Sequence, residues 1–507
     1  MKRRDFLRTT AVGSLGVLGA GMSASAKPAS AKSGKNGTKK RPNVLFCLAD
    51  DWGWPHAGAY GDPVVKTPNF DRLAKEGVLF TNAYISSPSC TPSRNAVLSG
   101  QYHWRLDTGA SLYGSLDPST PVYPLLLKQA GYAIGSWRKS WGPGSLKGWK
   151  DHPAGKPIRK GFDAFLADKP KDAPFCFFFG TSDPHRGYAK GSGARSGMDL
   201  SKIKLFECFP DSPEVRGDVA DYYYEVQRWD RDVGKAIAKL EEIGELDNTI
   251  IVMTGDHGMP FPRCKGNLYD SGSRVPLAIR WGANIAKPGR TVHDFVSFCD
   301  LAPTYLQAAG VEIPKVMTGK SLLGILTSDA EGIIEPKQRE FVMYGKERHC
   351  PGQEGHMGGY PCRAIRLHGY LYIRNFKPDR WPSGTPNWEK AAIRGAWLAD
   401  CDNGPTKSFI TDNKDKDAAH KRYWDLCFAK RPEEELYDCK KDPEQLNNVA
   451  QDPKYAEIRG KLSDKLLANL KLTGDPRATG DGDKFDKYRY TGGAPKHPMA
   501  GRKKKKK

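Results

Sequence analysis

Nowhere in its 507 residues does the chain carry an apolar run of the ~18 residues that a membrane-spanning helix needs, which excludes stable membrane insertion. Its 11 cysteines include no CxxC pair and no spacing suited to zinc, so neither a zinc ribbon nor a thioredoxin-like centre is encoded. Internal repeats are also missing, which removes solenoids and propellers. The chain has no surplus of negative charge. Its formal charge is +21, but residues 1–41 and the final RKKKKK carry most of that, and the body between is only mildly basic. Such ends hold an anionic polymer or are simply solvated, and they do not make a nucleic-acid-binding surface on a folded domain.

The first 26 residues, MKRRDFLRTTAVGSLGVLGAGMSASA, have the layout of an export signal: a basic start, a weakly apolar stretch and Ala24-Ser25-Ala26 as the cleavage site. The paired arginines before Asp5, Phe6 and Leu7 resemble a twin-arginine signal, which implies folding before export and a periplasmic or secreted destination. Residues 27–41 read as a disordered basic linker, and 481–507 as a basic tail. Cys350 and Cys362 flank the Gly-rich CPGQEGHMGGYPC and are a candidate disulfide pair.

Between the ends, apolar runs alternate with helical patterns. NVLFCLAD (43–50), YAIGSW (132–137), PFCFFFGTS (174–182) and TIIVMTGD (249–256) predict buried strands, and a long amphipathic helix ends at Gly244. This alternation predicts an α/β sheet with helices on both faces over residues 42–334. From 335 to 480 the texture changes to FVMYG and RAIRLHGYLYIRNF, which read as antiparallel strands of a smaller α+β subdomain closed by a helix.

Polar residues gather just past the strand ends, where ligands bind in such sheets. Asp50 and Asp51 end the first strand, Lys139 follows the second, Asp183 and His185 the third, and Asp256 and His257 the fourth. Taken singly, each has an ordinary structural use: a helix cap for the aspartates, a turn for Asp256 and His257, a surface loop for His185, surface charge for Lys139. Four segments converging on one edge weigh against all of these together. Three carboxylates, Asp50, Asp51 and Asp256, suit a hard divalent cation, calcium or magnesium. Cys90, in ISSPSCTPSRNAVLSG (85–100), is set among serines, prolines and an arginine with no apolar period, a pattern that predicts an exposed thiol.

CTPSR at 90–94, followed by NAVLSGQY and accompanied by LADDWG upstream and TGDHG downstream, resembles the signature of the type I, formylglycine-dependent sulfatase family. The likeness runs from residue 42 to about 470 and includes TGKSLLGIL and EELYDCKKDPEQLNNVA. It implies an alkaline-phosphatase-like mixed sheet sandwiched by helices, with the smaller subdomain behind it. It also implies that a formylglycine-generating enzyme oxidises Cys90 to Cα-formylglycine. One hydroxyl of that aldehyde's hydrate would attack sulfur and displace the substrate's oxygen or nitrogen; loss of the other's proton would then break the carbon–oxygen bond to sulfate and restore the aldehyde.

Carried over by position, the resemblance gives Asp50, Asp51, Asp256 and His257 to the metal together with modified Cys90. Arg94 would hold the hydrate, Lys139 the hydrate and sulfate, and Lys265 the sulfate, while His185 would serve the leaving group as general acid or contact sulfate. Asp183, Arg186, His103 and Trp141 would face the substrate, with Trp104, Tyr113 and Trp141 offering sugar-stacking faces. Many members carry G-K-x-H where this chain reads RKSWGPG, so Trp141 stands in place of a histidine whose part would fall to His103 or His185. SDPHRGY and DHGMPFPRCKGNLY look most like heparan N-sulfatases (sulfamidases) and similar bacterial sulfatases. The expected substrate is therefore a sulfated oligo- or polysaccharide cut at or near a chain end, with N-sulfoglucosamine leading and O-sulfated algal or glycosaminoglycan sugars next. A phosphoester hydrolase of the same superfamily and a non-catalytic binder of sulfated polysaccharide are the other readings.

Overall fold

The computed structural model describes residues 40–501, so the export signal, the linker up to residue 39 and the terminal RKKKKK lie outside it. The first strand shows how the core is divided. β1 (Asn43–Ala49) is buried along its whole length. Val44, Phe46 and Leu48 point into one apolar core and Leu45, Cys47 and Ala49 into another, because side chains alternate across a strand. A continuous apolar run is what such a two-sided position requires.

β1 pairs in parallel with β4 (Phe175–Gly180) on one side and β5 (Thr249–Gly255) on the other. With β2 (Val78–Tyr84), β3 (Ala133–Trp137), β6 (Arg274–Arg280) and β7 (Arg290–Ser297), they form a seven-stranded sheet of order β3-β4-β1-β5-β6-β2-β7. β6 runs antiparallel to both β5 and β2, so the sheet is mixed. The helix Pro213–Glu242 covers one face through Val219, Val226, Trp229, Val233 and Leu240. Its start is fixed by Ser212, whose side chain accepts from Val215 N, and by Pro213 in the first turn. The helices Cys90–Ser99 and Leu301–Ala308 contribute to the core of the other face.

A second, antiparallel sheet, ordered β11-β10-β9-β8, holds β8 (Val342–Lys346), β9 (Cys362–Arg366), β10 (Tyr370–Asn375) and β11 (Glu434–Asp438). The helix Ala456–Leu472 packs Leu462, Leu466 and Leu470 on it. β8 meets the first sheet directly: Tyr344 stacks on Tyr84 at 5.4 Å, and Gly345 N donates to Ser86 O at 2.9 Å. From Arg41 on, the chain forms one unit. No helix among the described residues is long and apolar enough to cross a membrane.

Two expectations are corrected. Residues 481–501, read as the start of a tail, fold back onto the body because Phe485 is buried and Arg380 pairs with Asp486 at 2.8 Å. Cys350 and Cys362 are both free thiols: the Tyr490 hydroxyl lies 3.6 Å from the Cys350 sulfur, and the Cys362 thiol donates to Tyr360 O.

Candidate active site

The site forms where β1, β3, β4 and β5 end. Successive strand residues would face opposite ways, but Asp51 takes a left-handed conformation (φ 72°), which brings its carboxylate to the same centre as that of Asp50. Asp256 follows β5, and its Oδ1 accepts from Asp51 N at 2.9 Å. Cys90 opens the helix Cys90–Ser99, whose positive N-terminal end favours an anion there.

Cys90 is buried rather than exposed, as is every residue of its helix. The polar side chains are sheltered by bonds, not by apolar packing: Ser93 Oγ donates to Asp256 O, Thr91 Oγ1 to Pro143 O and Asn95 Nδ2 to Gly109 O. Gly142 allows the Trp141–Pro143 loop to press on this helix, since a Cβ there would come within 2.6 Å of Thr91.

Around the Cys90 sulfur lie His257 Nε2 at 3.3 Å, Lys139 Nζ at 3.4 Å and Asp50 Oδ1 at 3.6 Å. Arg94, fully buried, reaches Asp256 Oδ2 at 2.8 Å and Asp50 Oδ1 at 3.3 Å. Lys139 holds Asp50 at 2.5 Å, and Lys265 bridges Asp51 and Asp402 at 2.9 Å each. Burial alone would raise the Asp50 carboxyl, but Lys139, His185, Arg94 and Lys265 outweigh it and hold the group well below the usual carboxylate range. Burial likewise opposes the charge on Lys139 and Lys265, and the facing carboxylates, Asp50 for one and Asp402 and Asp51 for the other, more than restore it. Burial pushes the Cys90 thiol up, so unmodified it stays protonated near neutral pH.

The donor set fits a divalent cation. Ligand atoms of Asp50, Cys90, Asp256 and His257 lie within 4.8 Å of one another, as do those of Asp50, Asp51 and His185. The Nδ1 of His257 donates to Gly258 O at 3.0 Å, so the ring's other nitrogen, Nε2, is the one turned to the site, 3.2 Å from Asp51 Oδ1. That oxygen is buried and has no hydrogen-bond partner. A buried carboxylate oxygen without a partner, amid further carboxylates and a ring nitrogen, suits a cation, and the oxygen-rich set suits a hard one.

A cavity of about 590 Å³ opens above Cys90, lined among others by Asp50, Lys139, Trp141, His185, Lys265 and His349. His185 donates from Nδ1 to Arg186 O, and its Nε2 faces Asp51 and Asp402 at 3.9 Å each. Trp141 forms part of the wall and donates to Asn95 Oδ1 at 2.6 Å.

Three residues expected to face the substrate lie outside the cavity. Asp183 is clamped by Arg228 at 2.6 and 2.8 Å, and Arg186 pairs with Asp218 at 2.7 and 2.8 Å. Both partners stand on the helix Pro213–Glu242, so these two residues fasten the loop that presents His185. His103 is wholly buried against Ser86 Oγ, and burial keeps its ring neutral. Trp104 is likewise removed from sugar contact, being buried and stacked on Tyr102 at 4.3 Å.

Two charged or polar cavity residues escaped the sequence reading. Asp402 holds Lys265, and His349 accepts or donates at Ser89 Oγ, 2.8 Å away, its ring depressed to about 3 mainly by burial. Neither sits in a motif; their only sequence signal is polarity in segments more than 130 residues from Lys265 or Cys90 in the fold's other half for Asp402 and His349 respectively.

A buried nucleophile position at a helix N-terminus, a carboxylate cluster fit for a divalent cation and three surrounding cations define a hydrolase centre for a tetrahedral oxyanion ester. The sulfatase family model matches residues 42–167 and 155–311, and the chain belongs to that family. It is 27% identical to an ulvan-active sulfatase of Formosa agariphila over 86% of this chain and 76% of that one. With human N-sulphoglucosamine sulphohydrolase it shares 28% identity over 86% of this chain and 92% of the relative. A structure in complex with "its substrate D-Glucosamine-2-N, 6-O-disulfate" superposes with a TM-score of 0.59 at 22% identity, covering 86% of this chain and 99% of that one. The phosphonate monoester hydrolase of Agrobacterium radiobacter gives 0.62 at 18% identity over 86% and 97%, a likeness of fold. The mixed sheet with its smaller antiparallel partner is thus the alkaline-phosphatase-like architecture, and the protein is a sulfuric ester hydrolase by family.

Proposed function

We propose that this protein is exported through the twin-arginine route to the periplasm or beyond and removes sulfate from a sulfated carbohydrate there, with Cys90 working as Cα-formylglycine. The observation that carries the reading is the setting of Cys90: a thiol that burial keeps protonated, placed between a cation-ready carboxylate cluster and Lys139. Its conversion by a formylglycine-generating enzyme would supply a geminal diol, one hydroxyl of which attacks sulfur while the other later expels the sulfate.

Asp50, Asp51, Asp256 and His257 would hold calcium, or magnesium in the same donors, and the ion would supply charge to acidify the attacking hydroxyl and draw in the sulfate. Arg94 fixes the two carboxylates Asp50 and Asp256 and borders the nucleophile. Lys139 and Lys265 offset the charge of the sulfate oxygens. His185 Nε2 opens onto the cavity and is the group that protonates the departing oxygen or nitrogen. With Trp141 in place of a histidine and His103 walled off, no other histidine in the cavity offers that proton, because His349 is held neutral.

N-sulfoglucosamine is the leading substrate, supported by the match that runs over 92% of the human sulphohydrolase. O-sulfated algal or glycosaminoglycan sugars are the second reading, supported by the ulvan-active relatives at 27 and 28% identity. Sulfate release from paired oligosaccharides bearing only N-sulfate or only O-sulfate separates them. The N-sulfated member is expected to react, and activity confined to the O-sulfated one rejects the first reading. Release of phosphate from aryl esters in preference to sulfate would overturn both.

A further inference from the structure

The last described residues, beyond everything the family match covers, come back to the mouth of the cavity. The Tyr490 ring packs edge-on against Tyr113 at 5.4 Å, and Thr491 Oγ1 donates to Tyr113 O at 3.2 Å. On the far side His497 stacks on Trp388 at 5.1 Å, meets Trp397 edge-on at 4.9 Å and donates from its backbone N to Gly395 O. Trp397 N also donates to Pro495 O. Between these two fastenings runs Thr491-Gly492-Gly493-Ala494-Pro495, and Gly493 and Pro495 form part of the cavity wall together with Tyr113, His349 and Cys350.

The two glycines differ in how much room surrounds them. A Cβ at Gly492 would come within 2.2 Å of the Tyr113 ring, so close packing demands glycine there. A Cβ at Gly493 would meet no atom within 4 Å, and Gly493 has no left-handed backbone that would require glycine. Gly493 is exposed and lines the cavity, so neither packing nor conformation requires glycine there and a side chain would stand at the cavity mouth.

We propose that Thr491–Pro495 is the specificity wall of this site: fastened at both ends, it closes the cavity into a pocket for a terminal sugar, whose ring passes over Gly493. This rests on the sulfatase reading of the site and names the segment that sets which sulfated sugars enter. A bulky side chain at Gly493 would crowd the sugar while leaving the groups around Cys90 in place.

The test compares kcat/KM for a chain-end-sulfated disaccharide with that for 4-nitrophenyl sulfate, a small ester that reaches Cys90 without a sugar. In Gly493→Trp the ratio of the two is expected to fall about tenfold or more, the scale on which a pocket discriminates by shape. Removing residues 489–507 is expected to raise activity on internally sulfated polymer relative to the disaccharide. An unchanged ratio in Gly493→Trp, or equal loss on both esters, overturns the proposal. Should the parent hydrolyse neither ester, the sulfatase reading itself fails, and the wall is then judged by calorimetric binding of the same disaccharide in the Cys90→Ala background. Weaker binding in Gly493→Trp supports it and equal affinity rejects it.

Discussion

The floor of the site and its rim are made from different stretches of chain and obey different rules. Asp50, Asp256 and Lys139 follow strands of one sheet, and Cys90 and Arg94 stand on one buried helix, so rigid elements fix their spacing. His349, Asp402, Gly493 and Pro495 come from loops around and beyond the second sheet. The floor gathers the buried charges, and in the reading proposed above the rim supplies the shape that a particular sugar must fit. That reading assigns the chemistry to strand ends and a buried helix, and selectivity to loops, where sequence is freer to change.

Substitutions separate the two regions. The largest effect is expected on the floor: Cys90→Ala should keep its thermal unfolding transition and lose sulfate hydrolysis by at least about a thousandfold, since Ser89 and Ser93 supply no second hydroxyl on one carbon. Near-normal turnover in that variant would remove the nucleophile from the account. Asp256→Asn comes next, with a loss on the order of a hundredfold or more; calcium is expected to raise the melting temperature of the parent and to leave that of the variant unchanged. Retained calcium stabilisation would place the cation elsewhere.

Arg186→Met probes the fastening of the His185 loop. Asp218 would stay buried with its bonds from Thr406 N and Oγ1 but without its cation, which should cost about 3 kcal/mol of stability, and kcat should fall while KM stays within about twofold. A rise in KM alone would return Arg186 to the substrate. The smallest effect concerns the rim. His349 is depressed to about 3 from an ordinary 6.5, so between these values the unfolded chain binds a proton that the folded one refuses. Stability from this residue is intact above about pH 6.5 and is lost progressively as pH falls toward 3. His349→Gln should flatten the decline of the melting temperature between pH 7 and 4, and an unaltered slope would show that other groups dominate the acid response.

The same division governs what could be read in advance. β1 and β5 announce themselves as continuous apolar runs, because strands buried on both faces have no polar side. β2 and β7 do not, since VLFTNAY and RTVHDFVS mix polar residues into positions that are only partly covered. Motif order located Asp50, Asp256, Lys139 and Cys90, but composition misjudged the burial of Cys90: serine, arginine and asparagine look exposed until their hydrogen bonds are known. Asp183 and Arg186 flank His185 in sequence yet turn to Arg228 and Asp218, an orientation that neighbouring position alone does not encode. Asp402 and His349 were illegible because only tertiary packing carries them to the rim of the cavity.

The central claim is that the working group at position 90 is an aldehyde and not a thiol. Mass analysis of the peptide spanning Cys90, taken from protein that hydrolyses a sulfate ester and probed with a hydrazide that captures aldehydes, tests it directly. The account predicts a sulfur-free residue at position 90 that reacts with the hydrazide in proportion to activity. Full activity in protein whose residue 90 is entirely thiol, alkylated by iodoacetamide after unfolding and silent to hydrazide, would contradict it.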